Sequence, residues 1–172
     1  MEKKVRKIRW AFFDVDGVLT DGKIILDGNG NEIKNFNVKD GIGIYMLRLA
    51  DIKTGIISGR NSKAVEKRAQ ELKIDIVIQG SYDKLKDYKK LKEEYNFSDE
   101  EVMFMGDDIV DLPILTKVGF AVTVPNAPQE VKEICHYITK SRGGFGAVRE
   151  VCDLILKIQG KYQEIIGSYL KI

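Results

Sequence analysis

The sequence is poor in the residues that build disulfide frameworks and metal–thiolate sites, with two cysteines and one histidine in 172 residues. Cys135 and Cys152 are isolated, without a C-x-x-C pair, and His136 alone could join them in a metal site. Neither a disulfide nor a zinc site is therefore expected to organise the chain. We expect two free thiols, buried or half-buried, and no catalytic role for His136.

The sequence also lacks long apolar runs and an excess of either charge. No apolar segment approaches the roughly 20 residues that span a bilayer, and no signal-type segment follows the basic start. The 28 basic and 26 acidic residues leave a net charge of +2, which gives no argument for a nucleic-acid partner. We therefore predict a cytoplasmic protein without membrane or nucleic-acid partners, folded as one domain over residues 1–172.

The residues that carry chemistry begin at the end of a short apolar run, Trp10–Phe13, which predicts a buried strand. Asp14 and Asp16 follow at the position where open α/β sheets bind ligands. Two carboxylates one residue apart would point to opposite sides of an extended chain, and Gly17 permits the turn that brings Asp16 back over the site. The pattern predicts that the two carboxylates work together.

A second acidic cluster follows another apolar run, Val102–Met105. Asp107, Asp108 and Asp111 lie within five residues of one another there. Buried like charges repel unless a cation is present, so this cluster and the two earlier aspartates together predict a Mg²⁺ site.

Two further strand ends suit a phosphate group. Residues 53–57 read as a buried strand followed by Ser58, Gly59 and Arg60, so that a hydroxyl and free backbone amides precede a helix predicted over residues 61–72. Arg60 and Arg68 would add charge-assisted contacts to a phosphate or a carboxylate, although Arg68 could equally face solvent. After a strand predicted over residues 74–79, Lys84 lies in the first turn of a lysine-rich helix that runs to about residue 95.

Residues 23–36 carry two apolar runs separated by Asp27-Gly28-Asn29-Gly30, a turn signal that predicts a β-hairpin. A hairpin of this size is too small to close over a catalytic site. Its apolar side chains are too numerous for a free ribbon, so we expect them to be covered, and one way is for the hairpin to fold back on its own core. They are Ile24, Ile25, Leu26, Ile33 and Phe36.

After the hairpin, the segment Asn37-Val-Lys-Asp-Gly leads into an amphipathic stretch. Asp40 fits the N-cap of the helix predicted there, whose amide end could also receive an anion.

The order of these motifs resembles the haloacid dehalogenase superfamily of aspartate-nucleophile phosphatases. Asp-Val-Asp-Gly-Val-Leu-Thr over residues 14–20 looks like the first motif, followed by Ser58, Lys84 and the acidic cluster. Residues 143–150, Gly-Gly-Phe-Gly-Ala-Val-Arg-Glu, resemble the C-terminal signature of bacterial 3-deoxy-D-manno-octulosonate 8-phosphate phosphatases. Members of that family commonly carry a basic residue where this chain has Phe145, which puts any ligand contact there in doubt.

The resemblance implies a doubly wound, mostly parallel, Rossmann-like α/β sheet with helices on both faces and a small hairpin cap over residues 23–36. Small-cap relatives are tetramers whose hairpins pair across subunits, so a homotetramer is expected. A tail over residues 160–172 would cover a neighbouring subunit's site or pack on its own chain.

The resemblance also implies a role for each site residue. Asp14 would be the nucleophile, Asp16 the general acid and base, and Ser58 and Lys84 the phosphate-holding catalytic residues. Mg²⁺ would bind the side chains of Asp14 and Asp107 and the backbone carbonyl of Asp16, with Asp108 and Asp111 in supporting positions. Contacts to the substrate are implied for Asp16, Asn37, Lys39, Asp40, Gly41, Gly59, Arg60, Arg68 and Lys84.

The function implied is hydrolysis of 3-deoxy-D-manno-octulosonate 8-phosphate through an aspartyl-phosphate, a step in making a lipopolysaccharide core sugar. A phosphatase for a nine-carbon sialic acid phosphate, or for a broader range of sugar phosphates, is an alternative in the same class. Some relatives are non-catalytic oligomerising modules, a hypothesis that the retained aspartates and lysine disfavour.

Overall fold

Six parallel strands form the central sheet of the computed structural model, which describes residues 1–170. In chain order the strands are β1 (Trp10–Phe13), β2 (Ile25–Leu26), β3 (Glu32–Ile33), β4 (Lys53–Ile57), β5 (Ile76–Ile78), β6 (Val102–Met105), β7 (Phe120–Thr123) and β8 (Tyr137–Ile138). The helices are α1 (Glu2–Val5), α2 (Val38–Leu49), α3 (Lys63–Leu72), α4 (Lys84–Tyr95), α5 (Leu112–Leu115), α6 (Gln129–Ile134), α7 (Ala147–Ile158) and α8 (Tyr162–Leu170). Short 3₁₀ turns lie at Asp99–Glu101 and Ile109–Asp111.

The position of β1 explains where the site forms. The strand order is β5-β4-β1-β6-β7-β8, so the chain builds outward from β1 on one side and then returns to its other side. Phe13, the last residue of β1, lies opposite Ile56 and Met105 of the two neighbouring strands. The carboxyl ends of β1, β4 and β6 therefore meet at the point where doubly wound sheets bind ligands.

Burial of the strands confirms the fold class predicted from the sequence. Every residue of β6 and β7 is buried, as are the last three residues of β1. Strands without a polar face must be covered by helices on both sides. Helix α2 packs against α7, and α4 packs against α5.

Two elements, α3 and β5, are shorter than the sequence predicts. Helix α3 begins at Lys63 rather than at residue 61, and the strand predicted over residues 74–79 is confined to Ile76–Ile78. Lys73 adopts a left-handed φ of 52°, and the Ile74 N–H donates to the Ala69 carbonyl at 2.9 Å. The turn that ends α3 therefore includes Ile74, which the apolar pattern assigns to the strand.

Strands β2 and β3 form the predicted hairpin as a separate antiparallel sheet, in which Ile25 pairs with Ile33. The Asp27 carboxylate closes the turn by accepting the backbone N–H groups of Asn29 and Asn31, each at 2.8 Å. Gly30 supplies a positive φ of 81°.

The hairpin's apolar side chains divide into two groups. Phe36 packs against the core, whereas Ile24, Ile25, Leu26 and Ile33 are exposed. The alternative in which the hairpin folds onto its own core is therefore wrong for these four residues.

The C-terminal segment packs on its own chain. Helix α8 contacts α7 and buries Ile165, while the Lys161 ammonium donates to the Ala50 carbonyl at 2.6 Å. Residues 160–170 therefore pack on their own chain, and coverage of a neighbouring subunit's site stays a prediction. The last two residues of the predicted tail lie outside the described residues.

The remaining expectations concern cysteine, histidine and the membrane. Both cysteines are free, with Cys152 buried and Cys135 half-buried. The His136 Nδ1 atom accepts the Ala121 N–H at 2.9 Å, which gives this side chain a structural use. No helix within residues 1–170 is both long and apolar enough to cross a bilayer.

Gly55→Ala should destabilise the protein, because a Cβ at this position of β4 would overlap the buried Phe12 ring of β1. Overpacking of this kind costs about 1–3 kcal/mol, measurable as the free energy of unfolding in urea. Gly167→Ala in α8 is the control, because its Cβ meets no described atom within 4 Å and alanine favours a helix. Wild-type stability for Gly55→Ala would contradict the packing.

Candidate active site

The carboxyl ends of the central strands open into a cleft of about 440 Å³. It contains all four predicted catalytic residues, together with the residues that follow β4 and β6. The lining residues are Asp14, Asp16, Gly22, Ser58, Gly59, Arg60, Ser81, Tyr82, Lys84, Asp107, Asp108 and Val110. Gly22, Ser81, Tyr82 and Val110 were not predicted as site residues, although each lies close in sequence to a residue that was.

Lys84 is the buried cation of this cleft. Its ammonium lies 3.0 Å from Asp14 Oδ1 and donates to Asp111 Oδ1 at 2.6 Å. Burial opposes its charge, but the charges of Asp14 and Asp111 outweigh burial and raise the pKa of Lys84. Lys84 therefore stays charged and holds both carboxylates in place.

Asp111 is fully buried, and both of its oxygens are engaged within the protein. Oδ1 accepts the Lys84 ammonium, and Oδ2 accepts the backbone N–H groups of Asp107 and Asp108 at 2.9 and 3.2 Å. The Asp108 carboxylate accepts the Ile109 N–H at 2.7 Å. Both side chains shape the turn after β6, an arrangement compatible with the supporting positions proposed for them.

Negative charge at the cleft exceeds what Lys84 can neutralise. Asp14, Asp107 and Asp111 each place one carboxylate oxygen within 4.8 Å of the others. Burial, and then the charge of Asp111, raises the pKa of Asp14 to about 6. Burial, and then the charge of Asp14, raises the pKa of Asp107 to about 7. These hard oxygen ligands fit Mg²⁺, which binds one or two carboxylates and keeps several waters.

The turn that carries Asp16 depends on Gly17 for two reasons. Its φ of 86° is disfavoured for other residues, as the sequence predicts. In addition, a Cβ at Gly17 would overlap the Asp107 carboxylate. The Thr20 hydroxyl steadies this turn by accepting the Gly22 N–H at 3.2 Å.

The Asp16 side chain contacts the hairpin, a connection that sequence reasoning missed. The Lys34 ammonium contacts Asp16 Oδ1 and lies 3.0 Å from Glu32 Oε1. Arg60 bridges the same two carboxylates, with Nε 3.7 Å from Asp16 Oδ2 and Nη2 2.9 Å from Glu32 Oε1. The sequence feature that could have indicated this contact is the Glu-x-Lys spacing of residues 32–34. This spacing places both charged side chains on the opposite side of the strand from Ile33.

Ser58 differs from its prediction in one respect. Its backbone amide is not free, because the N–H donates to the Ile78 carbonyl at 2.9 Å and extends the pairing of β4 with β5. The Ser58 hydroxyl and the Gly59 N–H make no hydrogen bond within residues 1–170, so these two donors remain available at the cleft.

The sequence and the fold of this chain are similar to those of known proteins. The haloacid dehalogenase-like hydrolase family matches residues 74–151. The chain is 44% identical to 3-deoxy-D-manno-octulosonate 8-phosphate phosphatase KdsC of Escherichia coli K12, over 96% of this chain and 88% of that protein. It belongs to the 3-deoxy-D-manno-octulosonate 8-phosphate phosphatase family.

Two solved structures of this phosphatase family agree with the assignment. The Moraxella catarrhalis phosphatase, in complex with magnesium, phosphate and a KDO molecule, has a TM-score of 0.95 and 40% identity and covers 98% of this chain and 97% of its own. The cobalt-bound phosphatase of Haemophilus influenzae has a TM-score of 0.89 and 40% identity, with 92% and 93% coverage.

Asn37, rather than Asp40, is the N-cap of α2 in this phosphatase. The Asn37 side chain accepts the Lys39 N–H at 2.8 Å. The buried Asp40 lies in the first turn of α2, and its Oδ1 accepts the Arg149 N–H at 2.8 Å, at the start of α7. The N-cap prediction was wrong because this carboxylate satisfies the orphan amides of another helix.

The predicted substrate contacts of the segment after the hairpin are not assembled at the cleft of one chain. Asn37, Asp40, Gly41 and Arg68 line a small separate pocket beside α3, and Lys39 is exposed. Their contact with the substrate stays a prediction.

The family's C-terminal signature supports the first motif. A Cβ at Gly143 would overlap the Gly17 carbonyl, and the Gly144 N–H donates to the Val18 carbonyl at 3.0 Å. The Asn37 side chain donates to the Gly144 carbonyl at 3.1 Å. Phe145, at the tip of this loop, is exposed. The glycines thus allow the loop to lie directly against the turn that carries Asp16.

Mg²⁺ should stabilise the protein more at about pH 7.5 than at about pH 5. The folded-state pKa values of Asp14 and Asp107, about 6 and about 7, exceed the usual value near 4 for unfolded carboxylates. The metal-free folded state then binds more protons than the unfolded state, so its stability falls as the pH rises through this window. Bound Mg²⁺ at 100 times its Kd should restore about 2.7 kcal/mol.

Thermal unfolding with and without Mg²⁺ at both pH values measures this effect. Asp107→Asn should remove most of the Mg²⁺ shift and flatten the pH dependence, because one titrating ligand is lost. An equal Mg²⁺ shift at both pH values would contradict the carboxylate site.

Proposed function

We propose that this protein is a Mg²⁺-dependent phosphatase that hydrolyses 3-deoxy-D-manno-octulosonate 8-phosphate through an aspartyl-phosphate on Asp14. The observation that carries the proposal is the placement of Asp14 at the end of β1, 3.0 Å from the Lys84 ammonium and within the acidic cluster. This placement occurs in a chain that matches the Escherichia coli phosphatase over 96% of its length.

Asp14 attacks the phosphorus atom and forms a covalent phosphoryl intermediate. Its carboxylate would be repelled by a phosphate dianion, and the Lys84 ammonium reduces that repulsion. The Ser58 hydroxyl and the Gly59 N–H supply donors for the phosphoryl oxygens, since both line the cleft with no other hydrogen bond in residues 1–170. Such preorganised donors stabilise the charge of the transition state.

Asp16 protonates the leaving sugar oxygen and then takes a proton from the water that hydrolyses the aspartyl-phosphate. Its position supports this role, because the turn at Gly17 places it on the cleft, two residues after the nucleophile. Its side chain is only partly exposed, which limits competition from bulk water.

The carboxylates of Asp14 and Asp107 and the backbone carbonyl of Asp16 would hold Mg²⁺. When bound, the ion would neutralise phosphoryl oxygens and polarise the phosphorus toward attack. The raised pKa values of both carboxyl groups support the assignment, because these side chains are held together although they repel one another.

Arg60 supports a sugar acid as the substrate. Its guanidinium lies at the cleft, half exposed, where it can pair with a substrate carboxylate. The eight-carbon acid is favoured over a nine-carbon acid because the structurally similar Moraxella phosphatase binds a KDO molecule. The cytoplasmic location and the step in lipopolysaccharide core sugar synthesis stay predictions.

Assays should show strong preference for 3-deoxy-D-manno-octulosonate 8-phosphate over a sialic acid 9-phosphate and a generic phosphate ester. Phosphate release would be measured with Mg²⁺ for the wild type and for Asp14→Asn, which keeps the side-chain shape but loses the nucleophile. We expect a loss on the order of 10⁴-fold or more in the variant. Equal slow turnover of all three esters would leave the substrate unassigned, and Asp14-independent turnover would overturn the mechanism.

The exposed hairpin supports a homotetramer in which hairpins pair across subunits. Ile24, Ile25, Leu26 and Ile33 are all exposed, and the paired Ile25 and Ile33 share one face of a two-stranded ribbon that is only marginally stable alone. Burial of this face against other copies would stabilise the hairpin and enclose the open cleft.

Leu26→Asp should reduce the molar mass in solution, because a carboxylate placed among the exposed apolar side chains of the hairpin would be desolvated by association. Size-exclusion chromatography with light scattering measures the mass. Leu170→Asp in α8 makes the same change at an exposed leucine outside the hairpin and should leave the mass at four chains. An unchanged mass for Leu26→Asp would contradict assembly through the hairpin.

A further inference from the structure

Lys34 is a buried ammonium without a place in the mechanism described so far. Its side chain is 1% exposed, although four apolar side chains of the same hairpin are exposed. Its ammonium contacts Asp16 Oδ1 and lies 3.0 Å from Glu32 Oε1. A buried ammonium is costly unless it is paired, so this side chain is held where its two carboxylate partners lie.

The four charged side chains of this contact form a closed ring. Lys34 and Arg60 each bridge Asp16 and Glu32, but they differ in how firmly they are held. Arg60 is half exposed, and its Nε lies 3.7 Å from Asp16, whereas Lys34 is enclosed and in direct contact. Lys34 is therefore the better-fixed anchor for the Asp16 carboxylate.

Orientation of this carboxylate matters because Asp16 lies on a turn rather than on a strand. The turn is set by the positive φ of Gly17 and does not by itself fix the side chain. In its acid form Asp16 would carry the proton on Oδ2, because Oδ1 accepts from the Lys34 ammonium, and this donor is effective only within hydrogen-bond reach of the leaving oxygen. A contact that fixes the carboxylate at the cleft thus bears on the first chemical step.

We propose that Lys34 is a positioning residue, which holds the Asp16 carboxylate at the leaving-group side of the cleft, and that Glu32 in turn holds Lys34. The inference rests on the proposed function, in which Asp16 protonates the leaving oxygen. The hairpin then contributes to catalysis from its inner face by orienting the general acid.

The test uses two substrates that differ in their need for a proton. The alkoxide of a sugar phosphate leaves poorly and must be protonated, whereas p-nitrophenolate leaves without help. The ratio kcat/KM reports the steps up to departure of the leaving group, so it excludes the later hydrolysis that both substrates share. A loss confined to the sugar phosphate identifies failure of the general acid.

Lys34→Met removes the charge at similar length. We expect its kcat/KM to fall on the order of 10- to 100-fold for 3-deoxy-D-manno-octulosonate 8-phosphate and by less than about twofold for p-nitrophenyl phosphate. Lys34→Arg should recover part of the loss. Lys23→Met is the matched control, because Lys23 begins the same hairpin but is exposed and pairs with Asp21 at 2.8 Å. It should leave both values unchanged.

A double-mutant cycle separates positioning from direct substrate binding. In the Asp16→Asn background, Lys34→Met should cause no further loss with the sugar phosphate, because the group it orients is already disabled. A full additional loss would show that Lys34 acts independently of Asp16 and would overturn the inference. An equal loss for both substrates in Lys34→Met would also overturn it.

Glu32→Gln provides a second test in case thermal unfolding shows that Lys34→Met does not fold. This variant leaves Lys34 in place and weakens its contact with residue 32. Its kcat/KM should therefore fall selectively for the sugar phosphate, by a smaller factor than in Lys34→Met. Unselective loss in Glu32→Gln would contradict the proposal. Failure of the proposed function is recognised separately, because Asp14→Asn would then retain turnover of both esters.

Discussion

Repulsion between buried carboxylates is the constraint on which the rest of this site depends. Parallel strands end at one edge of the sheet, so the aspartates that follow β1 and β6 are brought together whether or not their charges are balanced. Lys84 balances part of this charge, and its ammonium is fixed by Asp14 and Asp111. The remaining charge favours a bound cation, which would reduce the repulsion between Asp14 and a dianionic phosphate.

A second constraint is the close approach of backbone segments around the first motif. Gly17 lies against the Asp107 carboxylate on one side and against Gly143 on the other, where a Cβ on either glycine would overlap its neighbour. The C-terminal loop is held there by Asn37, which binds Gly144, and by Asp40, which caps α7. These contacts explain why segments so far apart in sequence carry glycine and short polar side chains: they build one support for the turn that bears Asp16.

The parts of the site that follow from sheet geometry could be predicted from the sequence. Asp14, Ser58 and Asp107 each follow a buried apolar run, and the carboxyl ends of parallel strands share an edge, so their convergence needs no knowledge of side-chain packing. The contacts made by Asp40 and Lys34 could not be found this way. Asp40 binds a backbone amide 109 positions away, and its local sequence fits an N-cap equally well.

Lys34 was missed for a related reason. Its partner Asp16 lies 18 positions earlier, across a hairpin turn whose orientation the sequence does not determine. Charged residues on a short exposed hairpin are ordinarily solvated, and only the packing shows that this ammonium is enclosed. Arg68 shows the converse case. The resemblance implies that it contacts the substrate, but Arg68 does not line the cleft of a single chain.

The hairpin presents two different faces, because alternate residues of a strand point to opposite sides. Ile33 points outward with its partner Ile25, while Glu32 and Lys34 on either side of it point inward to Arg60 and Asp16. Strands of two residues cannot hold this shape alone, so the outer face needs an apolar cover and the inner face needs its ion pairs. Loss of the cover would loosen the inner contacts as well. In the proposed tetramer, a cap too small to close the cleft would still control the reaction, because the orientation of Asp16, the proposed general acid, would depend on contacts between subunits.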